Sequence, residues 1–189
     1  MIETGRLLLR DWRDGDEALL HRHCNTEPVM RWLGGVQPFD KMRDVVSRLS
    51  SYRDDYGHTF WAVDRKADGA FLGFCGLKRA NGFGSSVSGE IEIGWRLRED
   101  AWGQGYAKEG ALASLDFAFE RLRAPRVVAL TIAANEASRG LMKRLGMRRR
   151  ADLDYSDPEW PAAMNPVIVY ELTRDDWEDG RRNEESLTS

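Results

Sequence analysis

The sequence predicts an α/β (α+β) domain organised around one mixed sheet. Strand and helix signals follow in the order βα, α, βββ, α, β, α, ββ, which suits a sheet covered by helices. The segment Glu90 to Leu97, E-I-E-I-G-W-R-L, alternates strictly. Ile91, Ile93, Trp95 and Leu97 face one way, and Glu90, Glu92, Gly94 and Arg96 face the other. A later segment has helical period, with Ala111, Leu115, Phe119 and Leu122 on one stripe.

Arg6 to Trp12 (R-L-L-L-R-D-W) opens the chain as a strand, and Asp14 starts a helix that runs to about Cys24. Asn25 to Asp40 holds Pro28, Gly34, Gly35 and Pro38 and is expected to be irregular. A second helix, with Val45, Val46 and Leu49 apolar, ends near Gly57. Thr59 to Asp64 alternates as a strand does, and Ala70 to Leu77 reads as a more buried strand. The flexible stretch N-G-F-G-S-S-V-S-G then leads to Glu90. Beyond the striped helix, Pro125 precedes a hydrophobic strand, Arg126 to Ala133. Asn135 to Leu145 is a short helix, and Gly146 is well placed as its C′ residue. Met147 to Tyr155 and Pro166 to Thr173 read as a closing pair of strands, joined by a loop rich in Pro, Asp and Trp. No repeat or linker divides the chain, so residues 1–177 are expected to form one domain and 178–189 a polar, fraying tail.

A chain of 189 residues can bury a core without staples. Its 28 basic and 31 acidic residues leave a net charge of −3, which argues against a sequence-independent nucleic-acid partner. Cys24 and Cys75 lie far apart without metal-type spacing, so a reducing compartment and no metal are expected. The start lacks a signal-type apolar stretch, and no run reaches membrane-spanning length. A cytoplasmic protein with no membrane partner follows, as a monomer or homodimer.

The most telling stretch is Asp100 to Glu109, D-A-W-G-Q-G-Y-A-K-E. Gly103, Gly105 and Ala107 lack bulk at the start of a helix, where backbone N–H groups and the helix dipole favour a phosphate. A dinucleotide turn would need a third glycine, but Lys108 holds that place, and no acid ends the next strand. A nicotinamide dehydrogenase therefore fails on spacing, and the P-loop pattern is absent. A tight turn with no ligand remains the competing reading.

The context decides between them. W-G-Q-G-Y-A-K-E, then a strand, then N-E-A-S-R-G-L-M-K-R-L-G-M resembles the GNAT superfamily of acyl-CoA-dependent N-acetyltransferases. The opening T-G-R-L-L-L-R-D-W and closing V-I-V-Y-E-L-T-R-D-D-W resemble its branch named for ribosomal-protein N-terminal acetyltransferases. The likeness spans residues 2 to about 177. It implies a mostly antiparallel, splayed sheet of about seven strands flanked by about four helices. It also implies acetyl-CoA as co-substrate.

That resemblance maps the cofactor onto this chain residue by residue. The pyrophosphate loop would be Trp102, Gly103, Gln104, Gly105, Tyr106, Ala107 and Lys108. Trp102 stands where the family usually has Gln or Arg, so the backbone N–H groups would do the holding, with Lys108 adding charge. Backbone groups of Trp95 and Leu97 would pair with the pantetheine arm. Asn135 would bond the pantetheine amide, although it also suits a helix N-cap. Lys143 would reach toward the nucleotide, or simply face solvent.

Acyl transfer to an amine needs a base for the amine proton, a donor for the oxyanion and help for the leaving thiolate. Family position favours Glu92 as base, with Glu90 as the alternate, against a solvated strand face or pairing with Lys78 or Arg79. The oxyanion donor would be a backbone N–H near Gly94 or Trp95. Many relatives carry a tyrosine as acid where this chain has Met142, which leaves Ser138, one turn earlier, as substitute. The thiolate needs little help, since thiols ionise near pH 8.5.

Two loops are expected to build the acceptor wall: Asn25 to Asp40 with Trp32, and Asp152 to Asn165 with Asp154, Asp157, Glu159 and Trp160. Acid and indole together would suit a cationic amine. The expected activity is acetyl transfer from acetyl-CoA to a primary amine, on a small molecule or a protein N-terminus, by direct attack in a ternary complex. The alternative is a non-catalytic acyl-CoA-binding module, supported by the missing tyrosine.

Overall fold

The computed structural model describes residues 1–188, with side chains through Asn183. The chain forms two compact units. Unit one takes Met1–Lys78 and Ile93–Ser114, and unit two takes Arg79–Glu92 and the chain from Leu115 onward.

Unit one begins with β1 (Ile2–Glu3) and β2 (Leu7–Arg10), which pair antiparallel. Leu7 and Leu9 are fully buried, as the alternation of this first strand requires. Then come α1 (Asp16–Cys24), the short α2 (Glu27–Met30) and α3 (Phe39–Tyr56). The irregular stretch expected from residue 25 to 40 therefore contains one helical turn. Strands β3 (Phe60–Arg65) and β4 (Phe71–Arg79) continue the antiparallel run. Their Phe60, Ala62, Phe71 and Phe74 meet Leu20, Cys24, Met42, Val46 and Leu49 of α1 and α3 in one apolar cluster. Arg10 is buried there with two carboxylates: Asp16 at 2.6 Å and Asp64 at 2.5 Å.

Strand β5 (Ile91–Leu97) starts in unit two and ends in unit one. Its alternation holds: Ile91, Ile93 and Leu97 are buried while Glu92 and Gly94 are half-buried. Helix α4 (Tyr106–Asp116) continues as a π-helical segment, Phe117–Arg121. Ala111, Leu115 and Phe119 of the expected stripe are buried, and Leu122 is half-buried.

In unit two, β5 pairs parallel with β6 (Arg126–Ile132) through Ile91↔Val127 and Glu92↔Val128. Helix α5 (Glu136–Arg144) follows, closed by Gly146 at φ 80°. Strand β8 (Val167–Thr173) pairs antiparallel along all seven residues of β6. The segment expected as a long strand, Met147 to Tyr155, pairs with β8 only as β7 (Arg148–Arg149) and at a single bridge, Tyr155↔Val167. A 3-10 turn at Ala151–Leu153 interrupts it, because the run holds Arg148, Arg149, Arg150, Asp152 and Asp154 and offers few apolar side chains to a sheet face.

The chain from Arg174 to Thr188 forms α6, which takes in residues 178–188 of the expected polar tail. Trp177 explains its first turns, since its ring stacks on Phe119 with centroids 5.0 Å apart. Among the described residues the strand order is β1-β2-β3-β4-β5-β6-β8-β7, eight strands against about seven expected. Six α-helices replace about four. The additions are the two-residue β1, the four-residue α2 and the polar α6.

Candidate active site

The turn before α4 is built on two glycines. Gly103 and Gly105 adopt φ 71° and 81°, in the left-handed region that suits glycine. Alternating hand along a short run turns successive N–H groups to one side. The first N–H groups of α4, those of Tyr106, Ala107 and Lys108, have no intrahelical acceptor by the geometry of any helix start. A Cβ on Gly103 would meet nothing within 4 Å, so the approach is open. Residues 102–105 and Lys108 are exposed and Ala107 is half-buried.

Arg6 is a part of this turn that sequence reasoning missed. Its Nη1 donates to the Gln104 carbonyl at 2.9 Å, and its Nε donates to Glu109 at 2.6 Å. Thr4 Oγ1 and the Arg6 N–H also donate to Glu109, at 2.6 and 2.8 Å. The only local hint was the T-G-R run, because the partners lie about one hundred residues away in the chain. Tyr106 is expected to serve through its backbone N–H. Its ring is buried under the Arg6 guanidinium, 4.6 Å from the centroid, so only its backbone faces the turn. Gln104 likewise donates its side-chain amide to the Asp100 carbonyl at 2.7 Å.

Trp102 is 48% exposed, yet its indole Nε1 donates to the Leu97 carbonyl at 2.9 Å. The unusual residue at the loop's front thus fastens the end of β5, and it already occupies a carbonyl expected to face pantetheine. Trp95 is half-buried. A Cβ on Gly94 would lie 2.7 Å from Cζ of Phe60, so glycine there lets the strand lie directly on that ring. The anionic end of an acyl-CoA fits this half of the site: open N–H groups, two left-handed glycines, and the cations Arg6 and Lys108.

In unit two, the two candidate bases differ. Glu90 is ion-paired with Arg126 Nη2 at 2.8 Å, and Arg126 also meets Glu171 at 2.8 Å. Glu171, buried at 8% exposure, reaches Arg150 at 2.5 Å. The hydrogen bond from Arg126 holds the Glu90 carboxyl below its ordinary range despite partial burial. A carboxylate so held is a poor proton acceptor. Glu92 is half-buried and paired in register with Val128.

Tyr155, not singled out from sequence, belongs to the surroundings of Glu92. Burial pushes its phenol pKa up, a hydrogen bond with Ser85 opposes that, and the carboxylates of Glu92 and Asp157 add to the rise. A Cβ on Gly82 would lie 2.9 Å from its hydroxyl.

Asn135 is the N-cap of α5, its Oδ1 accepting from the Ser138 N–H at 3.2 Å. That bond engages Oδ1 and not Nδ2. Ser138 is half-buried and Lys143 is exposed in the last turn. Met142 is 2% exposed, buried on α5 as Leu141 is, and its thioether offers no hydroxyl.

Of the expected acceptor walls, Trp32 is half-buried beside the Arg31 guanidinium, 5.7 Å from the ring. Trp160 is exposed. Two acids of the second loop are already engaged. Asp154 pairs with Arg149 and accepts from the Val169 N–H, and Asp157 is buried and accepts from the Glu159 N–H. These bonds hold the loop in shape. Among the described residues no group of three or more His, Cys, Asp or Glu could hold a metal ion, and no helix is long and apolar enough to cross a membrane.

Comparisons with known proteins give the family and the fold. The family model described as "Acetyltransferase (GNAT) domain" matches residues 6–148. The Bacillus subtilis (strain 168) protein YkkB is 30% identical over 171 residues, 90% of this chain and 94% of its own. The crystal structure of an acetyltransferase from Agrobacterium tumefaciens str. C58 superposes with a TM-score of 0.73 at 26% identity, covering 90% of this chain and 92% of that one. A spermidine N-acetyltransferase from Vibrio cholerae, in complex with CoA and spermine, shares the fold with a TM-score of 0.71 at 16% identity, covering 92% and 99%. The chain belongs to the GNAT family of N-acetyltransferases.

Proposed function

We propose that this enzyme transfers an acetyl group from acetyl-CoA to a primary amine by direct attack, with Glu92 as the general base. The observation that carries direct attack is the state of the thiols. Cys24 and Cys75 are 0% and 1% exposed, which keeps both sulfurs from a thioester, and the same burial pushes both thiols up to about 12. With no acyl-enzyme route through sulfur, the amine meets the thioester itself. The turn from Trp102 to Lys108, with Arg6 beside it, binds the CoA pyrophosphate. Asn135 offers Nδ2 to the pantetheine arm.

The amine proton passes to Glu92, directly or through water, and the oxyanion is met by a backbone N–H near Gly94 or Trp95. Ser138 remains the candidate acid on α5, since Met142 has none to give. The fold-mate's spermine complex is one precedent for an amine acceptor. A protein N-terminus is the other class considered.

The test is thiol release from acetyl-CoA across a panel of amines and peptides. Glu92→Gln is expected to lower kcat by about 10²–10⁴-fold with the acetyl-CoA affinity nearly intact. Glu90→Gln is expected to lower the melting temperature instead, because it breaks the pair with Arg126. Equal turnover of Glu92→Gln and wild type would remove Glu92 from the mechanism.

A further inference from the structure

Arg96 is a cation that the steps above do not use. It lies on β5 two residues beyond Gly94 and on the same face, within unit one. Its guanidinium carbon stands 5.1 Å from the centroid of Phe74, and Nη1 is 4.0 Å from the sulfur of Met42. Both neighbours belong to the apolar cluster of α1, α3, β3 and β4. Nε is buried and has no hydrogen-bond partner. Among the described residues Arg96 makes no ion pair. Burial lowers its pKa to about 10, against the small opposing influence of the nearby Cys24.

The contrast within the same unit is Arg10. That guanidinium is buried too, but Asp16 and Asp64 share it through four hydrogen bonds. A buried charge without a counter-ion costs several kcal/mol by the usual scale, so an uncompensated one invites an anionic guest. Taken as a whole residue, Arg96 is half-buried rather than fully enclosed.

The residues around Arg96 bracket the loop expected to form the acceptor wall. Cys24 ends α1 just before that loop, and Met42 lies in the first turn of α3 just after it. The loop is pinned shut: Asn25 Nδ2 donates to the Gln37 carbonyl at 2.7 Å, and the Gln37 N–H returns a bond to Asn25 Oδ1 at 2.9 Å. Gln37 also donates to the carbonyls of Gly34 and Gly35. In the same loop Thr26 Oγ1 is buried with no hydrogen-bond partner. A rigid loop and a lone guanidinium make a preorganised receptor.

We infer that Arg96 receives a carboxylate of the acceptor, so that the amine acetylated is an amino acid or a similar amino-carboxylate rather than a polyamine. This rests on the acetyl-transfer reading above. A guanidinium binds a carboxylate through two parallel N–H bonds, which fixes the molecule's orientation as well as its charge. The same charge in a site of low dielectric repels a polycation.

The experiment pairs each of several amino acids with its decarboxylated amine, adds spermine, and reads thiol release with wild type, Arg96→Lys and Arg96→Met. Wild type is expected to favour the carboxylated partner by about tenfold or more in kcat/KM, the scale of one charge-assisted bond. Arg96→Met is expected to erase that preference through the acceptor KM, with the acetyl-CoA KM unchanged. Arg96→Lys keeps part of it, as a point charge without the fork. Without ligand, Arg96→Met is expected to melt higher than wild type, since it removes an unpaired buried charge; a purely structural arginine would give the opposite.

Equal use of amine and amino acid by wild type, or better use of spermine, overturns the assignment. So does a preference that survives in Arg96→Met. Should no acceptor release thiol, the transfer reading fails while calorimetry of the same amino acids against the CoA-saturated enzyme still decides this one. Binding that Arg96→Met abolishes supports the carboxylate site, and no binding overturns it. If Arg96→Met does not fold, the wild-type pairs and Arg96→Lys carry the decision.

Discussion

Burial decides what the two thiols of this chain can do. Cys24 ends α1 against the Leu72 carbonyl, 3.8 Å from its sulfur, and Cys75 on β4 lies 4.0 Å from the Ser114 hydroxyl. Both are almost without accessible surface, and burial raises both thiols to about 12. Neither is expected to react with a disulfide reagent in the native protein, and both should react once it is unfolded. Incubation with acetyl-CoA should leave the protein mass unchanged. A stable gain of one acetyl group, lost on cysteine replacement, would contradict direct attack. At this scale the sequence was an uneven guide. Gly103, Gly105 and Asn135 were legible because their roles depend on backbone geometry within a few residues. Arg6, Tyr155 and Arg96 were not, because their meaning comes from Glu109, from Gly82 and Asp157, and from the absence of a carboxylate partner. No local pattern encodes any of these.

At the start of helix α5, Asn135 Oδ1 caps the helix, and the proposed reading gives its Nδ2 to pantetheine. Replacing the cap by alanine costs about 1 kcal/mol, whereas serine caps as well as asparagine. Asn135→Ala is therefore expected to lower the melting temperature by about 2–4 °C, and Asn135→Ser to leave it near wild type. Both lack the amide donor, so both are expected to weaken acetyl-CoA binding. Normal affinity in Asn135→Ser would confine the residue to its capping role, and calorimetry with CoA reads this directly. Long periodic elements such as β5 and α4 were clear from the sequence, because alternation and striping record which face is buried. β7 and α6 were misread for the opposite reason. The first is a strand of two arginines, and the second is a polar helix whose visible anchor is one ring, Trp177 on Phe119.

At the scale of the whole molecule, the division into two units escapes sequence reading. Each unit is assembled from two separate stretches, while pattern reading follows chain order. Charge pairing acts within both units, and its response to acid can be worked out for unit one. Glu109 on α4 accepts bonds from Thr4, the Arg6 N–H and the Arg6 side chain, tying the N-terminal segment to the helix. Burial pushes its carboxyl up, but those bonds and the Arg6 charge prevail and hold it below its ordinary 4.5. A carboxylate lowered by folding adds stability at pH above its unfolded value, and that stability drains away as pH falls through the folded value. The clasp is thus at full strength at neutral pH and weakens below 4.5. Glu109→Gln keeps the size and one acceptor oxygen but discards the charge. Its melting temperature is expected to fall below wild type at pH 7, and the gap to narrow as pH is lowered from about 5 toward about 3. A gap of constant size across that range would mean that the charge of Glu109 contributes nothing, and that hydrogen bonding alone holds the clasp.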